Sequence, residues 1–466
     1  MKKVLATILA LVMALGVTTA AWAAQPTPPA VAEMGGTTYT DLHQALEAAK
    51  NGGTVKLLRD VELTDTWTPV GDSSTPFKGT FDGGGHKITG LKITSGSYIG
   101  LFGYVGEGAV IRNVNLVGAN VSGVKRVGAL IGQIKGNAKV SNCTVDSTSR
   151  VTGSDSNTGG LIGEAAGTIT VTLENLINNA SVTNTENGTS RAAGIIAQVT
   201  SGADVTITNC VNNGAITTNN GYAGGIVAAK QGNSKVSFKN CSNAGTLAGN
   251  YTGSLIAWLV NGNCLSMTNS GNARTAIGAI RKERNQAYTF YFTIDGEEYY
   301  IRMQGDTESS DTRFSALWDG KQTIKRAYME RIIAFFNYAK EQNPNFATYP
   351  SNCAELFNCA WNTSNHTRKE NLFGAEAEGW RMLLDAYNEA KKDDMTPDDF
   401  AVIWDADILY SAPAPSTGGY YYYPSTTTND TTKGSPKTFD AGVGIYAVTA
   451  VLSVTGMAWT AKKRGN

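Results

Sequence analysis

The acidic side chains are the residues of this sequence most suited to catalysis, as general acids and bases. Their spacing, however, does not bring two carboxylates together. Acid/base cleavage of a polysaccharide requires two clustered carboxylates. The acids between residues 100 and 280 do not share a position in adjacent repeats: Glu107, Asp146, Asp155, Glu164, Glu174, Glu186 and Asp204. The best remaining group is Asp72, Asp82 and His86, and Asp82 precedes three glycines, which is typical of a turn. The sequence therefore predicts no catalytic residue and favours a non-enzymatic role.

The residue pattern also does not predict a metal or cofactor site. The histidines His43, His86 and His366 do not have metal-binding spacing, and the six cysteines do not have the spacing of zinc sites. The chain has no phosphate-binding glycine loop with its lysine and no serine–histidine–aspartate pattern. We therefore expect no metal ion and no cofactor. The equal numbers of basic and acidic residues, 39 of each, also exclude a nucleic-acid binder that depends on bulk positive charge.

Two columns of residues recur in step through the middle of the chain and indicate a solenoid. The first column is an apolar pair that returns every 29 to 34 residues: Leu101-Phe102, Leu130-Ile131, Leu161-Ile162, Ile195-Ile196, Ile226-Val227 and Leu255-Ile256. The second column is one asparagine with a matching period: Asn113, Asn142, Asn175, Asn209, Asn240 and Asn269. The segments beside the asparagines alternate and are rich in β-formers, and no helical period is present. The sequence therefore predicts a mainly β fold, a parallel β-helix of about six to eight coils.

Each column has an expected structural role. The apolar pairs would fill the interior, and the stacked asparagines would hydrogen-bond from coil to coil as in amide ladders. Cys210 and Cys241 occupy equivalent places in successive coils, and Cys143 lies in an earlier one. We interpret these three cysteines as small buried apolar residues, with a Cys210–Cys241 disulfide as the alternative.

The start of the repeat region predicts a cap. The apolar residues Leu42, Ala45, Leu46 and Ala49 have the spacing of an amphipathic helix that begins near Asp41. A helix over the open end of a β-helix would protect its exposed edge from pairing with another chain. We therefore expect an N-terminal capping helix.

One stretch of the chain resembles a known family. Residues 77–91 (FKGTFDGGGHKITGL), followed by GLFG at 100–103, are similar to the opening of GLUG-type repeat proteins. These are bacterial surface proteins with a pectate-lyase-like right-handed β-helix, and the resemblance covers roughly residues 36–280. It implies a right-handed solenoid in this chain. It implies little about activity, because this scaffold is shared by enzymes, adhesins and spacers.

Residues 281–411 differ from the repeats and are expected to form a small α+β module of unknown role. Residues 288–303 predict a hairpin with Asp295-Gly296 as its turn. Helical stripes are expected to follow, one of which includes Ile324, Tyr328, Ile332, Phe335 and Ala339, with a further helix start at Thr396-Pro397. Cys353 and Cys359 are close enough in sequence to form a bridge in an exported chain, which leaves a disulfide open.

The two ends of the chain predict export and anchoring. Residues 1–23 read as a signal peptide, with Ala21 and Ala23 at the cleavage site, and 24–35 as a mature N-terminal tail. Residues 412–434 have the composition of a wall-spanning linker. Residues 435–466 resemble a variant sortase sorting signal, in which Pro436 and Thr438 match the common motif, followed by an apolar span at 441–461 and a basic tail. A plain membrane anchor is the alternative.

These features together predict an exported, cell-wall-anchored surface protein of a Gram-positive bacterium. Its expected partners are a sortase-type transpeptidase, cell-wall peptidoglycan and a glycan or protein ligand bound by the β-helix scaffold. We expect no nucleic-acid partner, and membrane contact only through the signal peptide and the C-terminal span. Two alternatives remain: a polysaccharide-degrading β-helix hydrolase or lyase, and a passive structural protein of the wall layer.

Overall fold

The computed structural model describes residues 28–260, 265–281, 288–303, 311–319 and 323–325. The prediction of a mainly β, parallel β-solenoid is confirmed: the strands form five sheets that wind through about seven turns. Each complete coil contributes one strand to every sheet in turn, so that neighbouring strands in a sheet come from successive repeats. The 29- to 34-residue period of the sequence is therefore the length of one coil.

The first sheet has thirteen strands and runs the whole length of the solenoid. In spatial order its strands are β2 (Thr37–Tyr39), β1 (Ala32–Met34), β3 (Thr54–Leu57), β5 (Thr80–Asp82), β9 (Ala109–Arg112), β14 (Ala138–Ser141), β19 (Thr170–Glu174), β24 (Asp204–Thr208), β29 (Lys235–Lys239), β34 (Leu265–Thr268), β36 (Tyr288–Ile294), β37 (Glu297–Met303) and β39 (Thr323–Lys325). From β3 to β36 its neighbours pair in parallel, and antiparallel pairs occur only at its two ends.

The second and third sheets are narrower because their strands have only two to four residues. The second sheet contains β4 (Val61–Glu62), β6 (Lys87–Thr89), β10 (Asn115–Val117), β15 (Thr144–Val145), β20 (Ile177–Asn178), β25 (Val211–Asn212) and β30 (Ser242–Asn243). The third sheet contains β7 (Lys92–Ile93), β11 (Asn120–Gly123), β16 (Arg150–Gly153), β21 (Ser181–Asn184), β26 (Ile216–Thr218) and β31 (Leu247–Ala248).

The fourth and fifth sheets follow one another closely in every coil. The fourth sheet contains β12 (Val127–Gly128), β17 (Asn157–Gly159), β22 (Arg191–Ala193), β27 (Tyr222–Gly224) and β32 (Tyr251–Gly253). The fifth sheet contains β8 (Phe102–Val105), β13 (Ile131–Ile134), β18 (Ile162–Ala166), β23 (Ile196–Thr200), β28 (Val227–Lys230), β33 (Ile256–Val260), β35 (Ile277–Arg281) and β38 (Asp311–Arg313). Only two residues join a fourth-sheet strand to the next fifth-sheet strand in coils such as β12–β13, so the chain turns sharply between these sheets.

The interior is built from stacked apolar rows, and both members of each predicted apolar pair are buried. On the opposite wall, Phe81 aligns with Ile111, and the same row continues coil by coil to Met267. Burying one such side chain contributes about 1.5–3 kcal/mol, so these rows supply most of the driving force for the fold.

The first helix, α1 (Leu42–Ala48), caps the N-terminal end as predicted. It begins after Asp41, whose side chain accepts a hydrogen bond of 2.7 Å from the backbone N–H of Gln44 and so satisfies an otherwise open donor. Leu42, Ala45 and Leu46 are buried against the solenoid. The fold begins earlier than expected, because β1 lies within the stretch taken as the N-terminal tail and pairs with β3.

The described part of the α+β module expected at residues 281–411 joins the last coils of the solenoid. The predicted hairpin is confirmed: β36 pairs with β37, and Asp295 and Gly296 both have positive φ. However, β36 also pairs in parallel with β34, so the hairpin extends the first sheet of the solenoid. Ile324 lies in β39 rather than in the expected helix, because the outer edge of β37 offers backbone groups that β39 pairs with. Two short helices, α2 (Ala273–Ala276) and α3 (Phe314–Asp319), complete the described elements.

The interior cysteines are thiols. Cys143, Cys210 and Cys241 are all free and buried, in agreement with their interpretation as small core residues. Burial raises the pKa of Cys143 to about 12, and a hydrogen bond to Cys241 together with burial raises the pKa of Cys210. Cys143 and Cys210 are therefore protonated at neutral pH, whereas the hydrogen bond with Cys210 lowers the pKa of Cys241.

Several sequence predictions lie outside the described residues. They are the signal peptide, the helices expected after residue 325, the Cys353–Cys359 pair, the linker and the sorting signal with its apolar span. Within the described part, no helix is long and apolar enough to cross a membrane.

Candidate functional site

The asparagine column forms a continuous hydrogen-bonded ladder on the outside of the solenoid, where the first sheet turns into the second. Each amide nitrogen donates to the amide oxygen of the preceding asparagine: Asn142 to Asn113 (3.1 Å), Asn175 to Asn142 (2.8 Å), Asn209 to Asn175 (3.1 Å) and Asn240 to Asn209 (3.0 Å). Asn269 occupies the equivalent position in the last coil, where its backbone N–H donates to Asp295. We call this set the asparagine ladder.

Backbone geometry explains why asparagine recurs at this corner. All six residues have φ between 48° and 56°, a left-handed conformation that costs most side chains about 1–2 kcal/mol. Asparagine tolerates this conformation better than other non-glycine residues, and its amide both donates and accepts along the stack. The corner therefore favours glycine or asparagine, and asparagine adds a bond between coils.

Asp82 terminates the ladder at its N-terminal end. Its carboxylate accepts from the Asn113 amide (2.8 Å) and the Gly84 backbone N–H (2.9 Å), and it forms an ion pair with Arg112 (3.0 Å). Burial alone would raise the pKa of Asp82, but these hydrogen bonds and the positive charge outweigh it and lower the pKa. Asp82 is therefore ionised and acts as an acceptor, which fits its predicted role at a turn.

Asp72 and His86, the other two residues of the group predicted from the sequence, have separate partners. Asp72 accepts from the backbone N–H groups of Ser74 and Thr75, both at 2.8 Å, and these bonds lower its pKa. His86 lies 3.4 Å from Asp60. Asp72 thus stabilises its own turn, and His86 contacts a neighbouring loop. The contacts of the described residues do not join these side chains to Asp82 as an acid/base pair.

Two shallow cavities lie on either side of the ladder at its N-terminal half. One, of about 460 Å³, extends over the first sheet and is lined by Asp82, Val110, Arg112, Asn113, Lys139, Ser141, Asn142, Glu174 and Asn175. The other, of about 560 Å³, extends over the second sheet and is lined by Asp82, Gly84, Gly85, Asn113, Val114, Asn115, Asn142 and Thr144. Asn113 and Asn142 form the ridge between them. We call this surface, from Asp82 to Asn175, the ladder flank.

A second polar arrangement lies between the fourth and fifth sheets, which we call the lateral seam. Its fourth-sheet side carries Tyr98, Arg126, Asn157, Arg191, Tyr222 and Tyr251, which align coil by coil. Its fifth-sheet side carries Tyr104, Gln133, Glu164, Gln198, Ala229 and Trp258. These side chains face each other across the sharp turn between the two sheets.

The middle of the lateral seam is occupied by its own side chains. Glu164, only 2% exposed, forms an ion pair with Arg126 and accepts a hydrogen bond of 2.5 Å from Gln133. One coil further along, Asn157 donates to Gln198 at 2.5 Å. These groups satisfy one another, so this part of the seam holds the coils together and offers little room for a ligand.

Aromatic rings close both ends of the seam. At the N-terminal end, Tyr98 stacks on Tyr104 with 4.8 Å between ring centroids, and burial raises the pKa of Tyr104 to about 12. At the C-terminal end, Tyr222 stacks on Trp258 at 4.4 Å, and Asp311 of β38 accepts from both rings, with 2.9 Å to Trp258 Nε1. Asp311 thereby attaches β38 to the last coils.

Sequence reasoning missed the lateral seam, although a signal was present. Its fourth-sheet column recurs at intervals of 28, 31, 34, 31 and 29 residues, in step with the apolar pairs and the asparagines: Tyr98, Arg126, Asn157, Arg191, Tyr222 and Tyr251. The residue types change from aromatic to cationic to amide, so a search for one repeated type does not find the column. A search for any polar or aromatic residue at the coil period would have found it.

The ladder flank offers hydrogen-bonding groups and paired charges. Asp82 and Glu174, the two acids that line it, are each paired with a cation, Arg112 and Lys139 respectively. Across the part of the chain that the structure describes, no group of three or more histidine, cysteine or acidic side chains could hold a metal ion. The flank therefore presents amides, hydroxyls and paired charges in a regular array.

Comparison with known proteins yields partial matches. No protein-family model matches the chain. A protein of Evansella cellulosilytica named "Putative Gly-rich membrane protein" is 40% identical over 91 residues, which are 18% of this chain and 10% of that protein. Halomucin of Haloquadratum walsbyi is 37% identical over 94 residues, which are 20% of this chain and 1% of Halomucin. The chain therefore matches a tenth or less of the length of these relatives.

One solved structure is similar in part. The crystal structure of a "putative immunoglobulin A1 protease" from Bacteroides ovatus aligns with a TM-score of 0.42 and 20% sequence identity. The alignment covers 58% of this chain and 78% of that chain.

Proposed function

We propose that this chain is a surface protein of the bacterial cell envelope that binds an extended polysaccharide along its ladder flank without cleaving it. The observation that carries the proposal is the coincidence of both cavities with the exposed asparagine ladder. On the ladder flank, hydrogen-bonding groups recur once per coil, with a spacing of about 4.8 Å between successive coils. A polymer with its own short repeat can therefore bind several of these groups at once.

Three observations support the envelope location. The first 23 residues have the pattern of a signal peptide, and residues 441–461 are an uncharged apolar stretch followed by Lys462 and Lys463. The matched Evansella cellulosilytica protein carries the word membrane in its name. All three favour a protein that is exported and retained at the cell surface.

We further propose that sortase attaches the chain to peptidoglycan through Thr438. The span and basic tail would hold the chain at the membrane while the transpeptidase attacks the Thr438 carbonyl. The Thr438–Phe439 peptide bond would break, residues 439–466 would leave, and the Thr438 acyl group would pass to a wall amine. Mass spectrometry of protein released from the wall by a muramidase should find Thr438 as the C-terminal residue, with a cross-linked wall fragment. A C-terminus beyond Thr438 would contradict sortase processing and favour a plain membrane anchor.

Binding without cleavage is supported by the state of the acids on the flank. General acid catalysis requires a carboxyl group that is protonated near neutral pH, whereas the hydrogen bonds and ion pair of Asp82 keep it ionised. Glu174 is paired with Lys139 at 3.3 Å. The flank therefore has acceptors and donors in place, and the ionised Asp82 has no proton to give to a leaving group.

Affinity electrophoresis of the full chain in gels that contain plant, fungal or bacterial wall polysaccharides tests this function. We expect at least one polysaccharide to retard the chain, and no increase in reducing ends after prolonged incubation. Release of reducing or unsaturated ends that disappears in the Asp82→Ala variant would instead support a polysaccharide-degrading enzyme. Unchanged mobility in every gel would contradict binding and leave a structural role in the wall.

A further inference from the structure

The charges on the ladder flank cancel locally. Among the described residues that line its two cavities, the charged ones are Asp82, Arg112, Lys139 and Glu174. Arg112 lies 3.0 Å from Asp82, and Lys139 lies 3.3 Å from Glu174. Each cation thus has its own anion next to it, so the flank has no net charge with which to attract a polyanion or a polycation.

Aromatic rings are likewise missing from the residues that line these two cavities. Tyr98, Tyr104, Tyr222 and Trp258 lie instead in the lateral seam, where they stack in pairs. A sugar ring on the ladder flank therefore cannot place its apolar face on an aromatic ring. It must present its edge, where its hydroxyl groups are.

The asparagines of the ladder have hydrogen-bonding groups left to bind sugar hydroxyl groups. A carboxamide has two N–H donors and two acceptor lone pairs. Within the ladder, Asn142 donates once to Asn113 and accepts once from Asn175, which leaves one donor and one acceptor. A hydroxyl group is also both a donor and an acceptor, so each ladder amide on the flank can serve one sugar hydroxyl without breaking the ladder.

We propose that the ligand is an uncharged polysaccharide that lies along the solenoid axis and is bound edge-on through its hydroxyl groups. This inference rests on the proposed function and specifies its ligand class. The four successive rungs at Asp82, Asn113, Asn142 and Asn175 span roughly 14 Å at the interstrand spacing of parallel strands, so several consecutive sugar units contact the flank.

Calorimetric titration of the full chain with three oligosaccharide sets of matched length tests the charge class. The sets are neutral β-linked glucose oligomers, anionic galacturonic acid oligomers and cationic glucosamine oligomers, each from dimer to hexamer. We expect only the neutral set to bind, with affinity that rises with length and then levels off. Raising the salt concentration from 20 to 500 mM should change this affinity by less than about twofold, because no net charge is screened.

Three results separate this inference from the function on which it rests. Preferential binding of a charged set, or a tenfold loss of affinity at high salt, would overturn the neutral ligand class while leaving polysaccharide binding intact. Affinity that does not change from dimer to hexamer would overturn the axial arrangement. Binding of none of the three sets, together with unchanged mobility in every affinity gel, would overturn the proposed function itself.

Discussion

Replacing Glu164 by alanine is expected to lower the free energy of unfolding by about 3–5 kcal/mol, because it leaves Arg126 as an uncompensated charge in the lateral seam. Glu164 is 2% exposed and is bound by Arg126 and Gln133. Both of these residues lie in the preceding coil. Its removal therefore breaks contacts between successive coils rather than within one. Urea unfolding followed by circular dichroism measures the effect.

Two further variants test whether the charge pair is responsible. Glu174→Ala removes a carboxylate of an exposed pair with Lys139 and should cost no more than about 1 kcal/mol. The double variant Arg126→Met/Glu164→Leu removes both charges of the pair and should recover most of the stability lost in Glu164→Ala. A small loss in Glu164→Ala, equal to that of Glu174→Ala, would show that the seam contributes little.

Replacing Gly132 by valine is expected to destabilise the fold by at least about 3 kcal/mol, the upper part of the range for overpacked cores. A Cβ atom at Gly132 would lie 2.6 Å from the backbone nitrogen of Ile99 and 2.7 Å from the carbonyl oxygen of Gly103. These are backbone atoms of the neighbouring coil, so they cannot move aside as a flexible side chain could. The two sheets of the seam would have to separate.

A matched control for this variant exists in the same column of the repeat. Ala197 takes the place of Gly132 two coils later and is fully buried, so the seam accepts a methyl group there. Ala197→Gly should cost only about 1 kcal/mol, because it adds backbone freedom and creates no clash. Thermal unfolding of both variants compares them directly. Equal destabilisation by the two variants would mean that the short distance between Gly132 and the backbone of the preceding coil does not limit how the coils pack.

The solenoid could be predicted because its interior and its corners each use one residue type at one period. Ile131, Ile162 and Ile196 align in adjacent strands, and the asparagines align in their own column at another corner. Both columns repeat at the same interval, so either one gives the length of a coil. The capping helix was also predictable, since its apolar spacing and its Asp41 cap are local features.

The lateral seam could not be predicted in the same way because its partners differ from coil to coil. Glu164 pairs with Arg126, Asn157 with Gln198, and Tyr222 with Trp258. Each pair joins residues about forty positions apart, and nothing in the local sequence indicates the partner. The cavities of the ladder flank are likewise a property of the assembled surface, although the asparagines beside them were recognisable.

The C-terminal end shows how tertiary context overrides a local pattern. The spacing of Ile324 with later apolar residues favours a helix, yet Thr323–Lys325 pairs with β37. An open strand edge at the end of a growing sheet provides hydrogen-bond partners that a helical pattern cannot reveal. The hairpin itself was predictable because Asp295-Gly296 is a strong turn signal.

The most direct test of polysaccharide binding at the ladder flank compares two substitutions in the same ladder. Asn142 and Asn209 each donate one ladder bond and accept one, and both have a left-handed backbone that glycine tolerates. Asn142 lines both cavities, whereas Asn209 lines neither.

Because the two residues make the same ladder bonds, Asn142→Gly and Asn209→Gly should lose similar stability. We expect the dissociation constant of the retained polysaccharide to rise about tenfold in Asn142→Gly, corresponding to about 1.4 kcal/mol, and less than twofold in Asn209→Gly. Equal affinities in the two variants would contradict binding at the ladder flank.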